Sequence, residues 1–351
     1  MTAIDLKTDL DWYSRSDAAI MSGIGVLLMI AHHLFGFQKF LLPGVEWNSM
    51  LVLYGIEIER VIAAFGKICV ALFAFNSGYV VWKIQRSYLD MFNRCKRILS
   101  FLVSYWIILF LFWIYAIIVG DPLPSYKNAL MNLVGLNTGP DKIFVNIPFA
   151  WYVAYYVLFI ILSPILLKLF SRSLTSDIIL FILLGIILQF IKCDFLSPLM
   201  IGIEGMLFAK YSLFQHFAEK IPTFRIHIFL ITTSVLIIIR QGCILLGIRL
   251  FDILGGVDFF IIPIFIFTTT VISRKTCAKY LTNILILIAA CSMNLWFLHG
   301  IFFTANRPLQ PLLYSSGSPV LIYITVLALT LPVATLLHFV QQRFLTLLKL
   351  K

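Results

Sequence analysis

Residues 98–119 read ILSFLVSYWIILFLFWIYAIIV, and no residue in this stretch is charged. A transmembrane helix needs about 20 mostly apolar residues, so this stretch alone can cross a bilayer. The whole chain has the same character: 61% of its 351 residues are hydrophobic and 12% are charged, against about 25% charged residues in soluble domains. A soluble fold could not bury this much apolar surface, so we expect lipid to surround most of the chain.

Apolar runs recur along the sequence and predict an all-α polytopic membrane protein with about ten transmembrane helices. The predicted spans are 18–35, 60–82, 98–119, 147–168, 177–191, 196–213, 226–246, 256–273, 281–304 and 319–340. We expect a single domain over 1–351, in which residues 18–340 form the helix bundle. Residues 1–17 are polar and lack the apolar core of a cleavable signal, so the first span reads as a retained signal anchor.

The distribution of Lys and Arg between the loops predicts the orientation. Eighteen of these residues fall on the side of the two termini, eight fall on the other side, and Lys67 lies within the second predicted span, which accounts for all 27. This bias places the N-terminal segment and the tail at 341–351 in the cytoplasm. The net charge of +11 therefore needs no nucleic acid as a partner.

Ionisable residues at membrane depth are costly and point to function. The candidates are His32, His33, Lys67, Glu204 and His299 and, nearer helix ends, Arg240 and Asp258. Both His33 and His299 are predicted in the outer half of the membrane, because each follows about 15 to 18 residues of an outward-running helix. A neutral histidine can accept a proton from a hydroxyl, although histidines that cap or bridge helices would explain the same pattern.

Other polar positions also leave alternatives open. Arg94 and Arg97 would share one face if their segment is helical; they could bind phosphate or serve only the positive-inside topology. Glu204 suits a proton-coupled transporter or an ion pair between helices. Asn76 needs a partner, and the small residues Ser77 and Gly78 permit close helix packing. The six Cys residues lack metal-ligand spacing, so no metal site is expected.

Five segments, in order along the chain, resemble the acyltransferase-3 family of bacterial membrane-bound acyltransferases. They are GVLLMIAHHLF at 25–35, KICVALFAFNSGYVV at 67–81, the Arg-x-x-Arg of Arg94 and Arg97, PFAWYVAYYVLFIILSPIL at 148–166 and SMNLWFLHGIFF at 292–303. The family's first-helix motif has a basic residue, ten others and then the catalytic histidine. Counting back from His33 places the basic position at Ser22, so this sequence departs from the motif there.

The resemblance implies an O-acyltransferase of the bacterial cytoplasmic membrane. It would move an acyl group, with acetyl preferred, from acyl-CoA to a hydroxyl of an envelope glycan or a lipid-linked sugar. By carry-over, His33 would be the general base, and Arg94 and Arg97 would bind the donor phosphates. His299 and Lys67 would line the site, and Lys67 could replace the missing basic residue.

Two other functions remain open at this point. A transporter or flippase for a glycan or lipid-linked sugar would use Glu204 and the histidines along its path. A catalytically inactive relative would have a structural role in an envelope complex. Incorporation of label from acetyl-CoA separates the acyltransferase from both.

Overall fold

The computed structural model describes residues 12–38, 41–120, 123–134, 150–189, 196–220, 226–245, 258–276, 279–302 and 309–350. Most of these residues are helical, and the only strands among them form one short hairpin. The prediction of an all-α polytopic membrane protein is therefore confirmed. The connection between the predicted spans 177–191 and 196–213 lies outside the described residues, which leave out 190–195.

The elements are numbered in the order in which they follow one another along the chain. They are α1 (Arg15–Gly36), β1 (Val52–Leu53), β2 (Ile56–Glu57), α2 (Ile58–Gly66), α3 (Ile68–Lys83), α4 (Gln85–Leu89), α5 (Met91–Val119), α6 (Tyr126–Leu133), α7 (Trp151–Leu169), α8 (Leu174–Gln189), α9 (Leu196–Lys210), α10 (Leu213–Lys220), α11 (Ile226–Leu245), α12 (Asp258–Thr276), α13 (Lys279–Ala290), α14 (Ser292–Leu298), a 3-10 helix (His299–Phe302), α15 (Leu309–Tyr314) and α16 (Pro319–Leu347).

Each of the ten predicted spans coincides with one of these helices or with a broken pair of them. Within the described residues, α1, α5, α7, α12 and α16 are long and apolar enough to cross a membrane. The pair α13 and α14 makes a sixth candidate, bent by 68° at Cys291. The predicted span 60–82 was wrong in one respect, because α2 ends at Gly66 and Lys67 occupies a turn rather than a helix interior.

The chain divides into two compact units. The first unit contains Met1–Gly25, Lys67–Arg86 and Ser163–Ala289. Its core includes α3 packed on α9 with the two backbones touching, since a Cβ added at Gly78 would lie 1.7 Å from the Gly202 carbonyl oxygen. A Cβ at Gly205 would likewise meet the Phe75 carbonyl oxygen at 2.1 Å. The close packing expected near Gly78 is therefore present.

The second unit contains Val26–Gly66, Ser87–Leu162 and Ala290–Lys351. Its longest elements are α5 and α16, and α14 packs on both of them. The hairpin β1–β2 turns through Tyr54 and Gly55, which both have positive φ, as a two-residue type I′ turn requires. Helix α6 lies between the predicted spans 98–119 and 147–168.

Glu59 secures the segment that leads into this hairpin. Its carboxylate accepts hydrogen bonds from Ser49 Oγ at 2.6 Å and from the Met50 amide at 2.7 Å. Burial alone would raise the pKa of Glu59, but these hydrogen bonds to the charged form outweigh it and lower the pKa. The carboxylate therefore stays charged and holds the chain just before the hairpin.

Candidate active site

Two histidines meet inside the second unit, although 266 positions separate them in the sequence. His33 lies near the end of α1, and His299 begins the 3-10 helix that follows α14. Nδ1 of His33 is 2.7 Å from Nε2 of His299, and the side chains are buried. The ring planes are within 5° of parallel, with centres 4.9 Å apart. The ring centres can be this far apart only if both nitrogens lie close to the line between the centres. The N–N line therefore lies nearly in both ring planes, which is the alignment that a hydrogen bond needs.

The surrounding hydrogen bonds determine which nitrogen of each ring carries the proton. Nδ1 of His299 is 2.8 Å from the carbonyl oxygen of Leu295, and a carbonyl can only accept. The proton is therefore assigned to Nδ1 of His299, which leaves its Nε2 as an acceptor in the neutral ring. Nδ1 of His33 must then donate, so the basic lone pair of neutral His33 is on its Nε2 atom. These two hydrogen bonds fix the orientation and the tautomer of the His33 ring.

His32, the neighbour of His33, has a different environment. Its Nδ1 is 2.6 Å from the Ala63 carbonyl oxygen in α2, so His32 bridges two helices. The helices approach closely there, because a Cβ added at Gly66 would lie 2.3 Å from the Leu28 carbonyl oxygen. Adjacent helix residues point about 100° apart, which explains how one imidazole reaches α2 while the other reaches His299.

Two tyrosines hold the part of α1 that carries the histidines. Tyr314 donates its hydroxyl proton to the Leu34 carbonyl oxygen at 2.8 Å, and Tyr323 donates to the Leu27 carbonyl oxygen at 3.0 Å. Carbonyls near a helix C-terminus lack intrahelical partners, so the bond to Leu34 is a side-chain cap. These bonds fix the rotation and height of α1 within the second unit, and with them the direction of His33.

A buried amide network positions the other histidine, and sequence reasoning missed it. Asn294 and Gln341 bond to each other through both of their amide groups, at 2.8 and 3.0 Å. Asn294 also donates to the Ala334 carbonyl oxygen and Gln341 to the Ser104 carbonyl oxygen, each at 3.0 Å. This network ties α14 to α5 and α16 in the part of α14 that precedes His299. Its signal in the sequence was two amides inside apolar runs, which must find partners in a membrane.

Arg94 and Arg97 lie in the first two turns of α5, so the condition that they share a helix face is met. The Asp90 side chain caps this helix by accepting from the Asn93 amide. Arg97 donates through Nη2 to Ser87 Oγ at 3.1 Å, and its guanidinium lies 4.8 Å from the centre of the Tyr88 ring. Burial raises the pKa of Tyr88, which Arg97 partly offsets, so the phenol stays neutral. The Nε atoms of both arginines are buried and have no hydrogen-bond partner among the described residues.

The departure at Ser22 has a structural counterpart in the first unit. Ser22 Oγ donates to the Ala18 carbonyl oxygen at 2.9 Å and accepts from Asn76 Nδ2 at 3.2 Å. Asn76 Oδ1 also accepts from the Tyr13 hydroxyl at 2.8 Å. The partner that Asn76 needed is therefore the start of α1, and a small hydroxyl stands where the family motif has a basic residue.

Lys67 and Glu204 both belong to the first unit. Lys67 occupies the turn between α2 and α3, and its side chain is exposed. Its predicted place beside the histidines stays a prediction. Glu204 lies on α9 with 3% of its surface exposed, and its Oε2 atom has no hydrogen-bond partner within the described part of the chain.

Together these features define a multi-pass helical membrane protein with a buried, oriented histidine pair. A family model described as acyltransferase domain, that of the acyltransferase-3 family, matches residues 20–339. This match covers most of the chain, so the chain belongs to that family. Searches of the curated proteins and of the solved structures return no match. Transfer of an acyl group is the general activity that this membership supports.

Proposed function

We propose that this protein transfers an acyl group, with acetyl preferred, from acyl-CoA to a hydroxyl of a cell-envelope carbohydrate. The observation that carries the proposal is the hydrogen-bonded line from His33 through His299 to the Leu295 carbonyl. It leaves the basic lone pair of His33 on Nε2, as a general base for a hydroxyl requires.

The transfer then follows from the protonation states. Nε2 of His33 takes the proton of the acceptor hydroxyl as its oxygen attacks the thioester carbonyl. The carbon–sulfur bond breaks, and the departing thiolate receives the same proton from Nε2. His33 is an imidazolium in between, and its Nδ1–H donates to His299 Nε2 throughout. His299 and the Leu295 carbonyl thus stabilise the charge at the point where it forms.

The buried Nε atoms of Arg94 and Arg97 support an anionic donor. A guanidinium presents five N–H donors in a planar fork that matches phosphate. Leaving buried donors without partners is costly, and phosphate oxygens of acyl-CoA would satisfy both Nε–H groups. Arg97 is already oriented by Ser87 and Tyr88, so its fork is fixed before the donor binds.

The proposed sides of the membrane follow from the distribution of basic residues. With both termini in the cytoplasm, α5 begins at the cytoplasmic surface, where acyl-CoA is made. The histidines of α1 and of the 3-10 helix then face the outer half of the bilayer. The acceptor would be an envelope glycan or a lipid-linked sugar that reaches the site from outside, and the protein would lie in a bacterial cytoplasmic membrane.

One observation favours a transporter or flippase instead. Glu204 is a buried carboxylate whose Oε2 atom has no partner among the described residues, and proton-coupled transporters use such groups. The acyltransferase proposal gives Glu204 no chemical role, so substitution of Glu204 separates the two functions.

The test uses the full chain in proteoliposomes with acetyl-CoA radiolabelled in the acetyl group. We expect label to appear in added envelope glycan, or in acetate when water replaces the acceptor, and to disappear in His33→Ala. A protein that moves glycan across the bilayer but releases no label from any acyl-CoA would contradict the proposal. Mass analysis of envelope glycans from a deletion strain would then identify the acceptor.

A further inference from the structure

Tyr105 has a polar group that the packing of the second unit leaves unused. Its side chain is fully buried at 0% exposure, and its hydroxyl has no hydrogen-bond partner among the described residues. A buried hydroxyl without a partner costs free energy, and Tyr is used in apolar sites where its O–H reaches a partner. A phenylalanine would fill the same space at lower cost, so the hydroxyl points to a ligand.

The position of Tyr105 on α5 connects it with the arginine pair. At 100° per residue, Arg94, Arg97, Phe101 and Tyr105 fall within about 80° of one another around the helix. Deeper in the unit, the same face continues as buried residues, Leu109 and Phe112 among them. The arginines therefore lie on the face of α5 that packs inward, in line with Tyr105.

The distance along this face matches a particular part of the donor. Tyr105 is eight residues beyond Arg97, or about 12 Å along the helix axis. In acyl-CoA, the arm between the diphosphate and the sulfur consists of pantoate, β-alanine and cysteamine units joined by two amides. Each unit is at least as long as an amino-acid residue, so the extended arm spans about 10 Å or more. The second amide carbonyl is two units from the diphosphate, or about 7 Å or more along the extended arm, and the arginine side chains reach beyond their own helix positions. A donor whose phosphates contact the arginines can therefore bring an amide carbonyl to the level of Tyr105.

The contacts of this face lead from the arginines towards the histidines. Phe101 packs against Tyr156, with ring centres 4.3 Å apart. The Tyr105 ring lies 5.5 Å from that of Phe297, which is in α14 immediately before the helix turn that carries His299. The track of four residues therefore ends against the segment that carries His299, one member of the proposed catalytic pair.

We propose that the Tyr105 hydroxyl donates a hydrogen bond to an amide carbonyl of the pantetheine arm, so that Arg94, Arg97, Phe101 and Tyr105 form one binding track. The inference rests on the proposed acyl-CoA donor. It adds a residue that binds the pantetheine arm rather than the phosphates. It also explains why a buried tyrosine, rather than phenylalanine, occupies position 105.

The test distinguishes contacts to the arm from contacts to the phosphates with two ligands, two variants and one control variant of the full chain in nanodiscs. CoA has both parts, whereas 3′,5′-ADP has phosphates and no arm, and calorimetry measures the binding of each. Tyr105→Phe should weaken CoA binding about threefold to tenfold, the effect of one hydrogen bond, and should leave 3′,5′-ADP binding unchanged. The double variant Arg94→Ala and Arg97→Ala should weaken both ligands. Tyr115→Phe, the same change further along α5, serves as the matched control and should alter neither.

Each other outcome has a defined meaning. If Tyr105→Phe leaves CoA binding unchanged while the arginine variant weakens it, the donor site stands and the Tyr105 inference is wrong. Equal weakening of both ligands by Tyr105→Phe would also overturn the inference, because the effect would not involve the arm. If the unaltered protein binds neither ligand, both the Tyr105 inference and the proposed function are wrong.

Discussion

Replacing His299 tests the proposed base directly, because in the proposed mechanism His299 acts on the reaction only through His33. In His299→Phe the ring volume remains, but Nδ1 of His33 loses the acceptor that lies 2.7 Å away. A hydrogen bond to a charged group contributes about 1.5–3 kcal/mol, and the His33 imidazolium forms only during the reaction. At 1.36 kcal/mol for each factor of ten, the rate should fall about 10-fold to 150-fold. The KM for acyl-CoA should change little, since the arginines are untouched.

His299→Gln is the matched control for this substitution. The amide oxygen of Gln can take the place of Nε2 and still accept from His33, although it cannot take a proton. We expect a rate loss below about fivefold, less than the effect of losing a charged hydrogen bond. Release of labelled acetate from acetyl-CoA provides the rate without knowledge of the acceptor.

A spectroscopic measurement separates orientation from a general structural defect. In the unaltered protein, ¹⁵N NMR of labelled histidine should show the neutral His33 ring protonated at Nδ1. The same tautomer should persist in His299→Gln and should be lost or mixed in His299→Phe. Equal rate losses in the two variants, or an Nε2-protonated His33 in the unaltered protein, would refute the assigned hydrogen-bond line.

Three further substitutions and one labelling experiment test other parts of the structure. His32→Ala should lower stability by about 1 kcal/mol through loss of one hydrogen bond while the rate falls less than tenfold; a larger rate loss would assign the base to His32. The double variant Arg94→Lys and Arg97→Lys should bind CoA with an affinity between those of the unaltered protein and the double Ala variant, because charge remains without the planar fork. Glu204→Gln should leave acyl transfer within about threefold, since no step of the proposed transfer uses it; transport lost with unchanged acyl-CoA hydrolysis would favour the transporter. In a variant that keeps the exposed Cys95 as its sole cysteine, an impermeant maleimide should react only from the cytoplasmic side. Labelling from outside would show that the predicted orientation is wrong.

Hydropathy predicted the helices well because the bilayer demands long apolar segments whatever their neighbours are. Predicted boundaries differ most from the structure where the helix is interrupted or extended. A window average over 60–82 hides the turn at Lys67. The predicted span 98–119 leaves out the basic start of α5, where the Asp90 cap begins the helix. Both features depend on single residues, to which an average over 20 positions is insensitive.

The candidate site was only partly accessible from the sequence. The resemblance singled out His33 and His299 separately, but no periodicity relates residues 266 positions apart. Their contact depends on the tyrosines that hold α1 and on the Asn294–Gln341 network that holds α14. These side chains act at long range in sequence, so their partners become visible only in the fold. The different hydrogen-bond partners of His32 and His33 likewise become visible only in the fold.

The direction in which Arg94 and Arg97 face on α5 helps to decide between a topological role and a donor-binding role. The positive-inside rule concerns how many basic residues flank a span, and it is indifferent to their direction around the helix. Arginines that serve topology alone would be expected to turn their guanidinium groups to water, as desolvating a charge is costly. Arg94 and Arg97 instead bury their Nε atoms on the inward face, while Cys95 between them is exposed. A phosphate ligand offsets that cost and topology does not, so this placement favours a donor-binding role over a purely topological one.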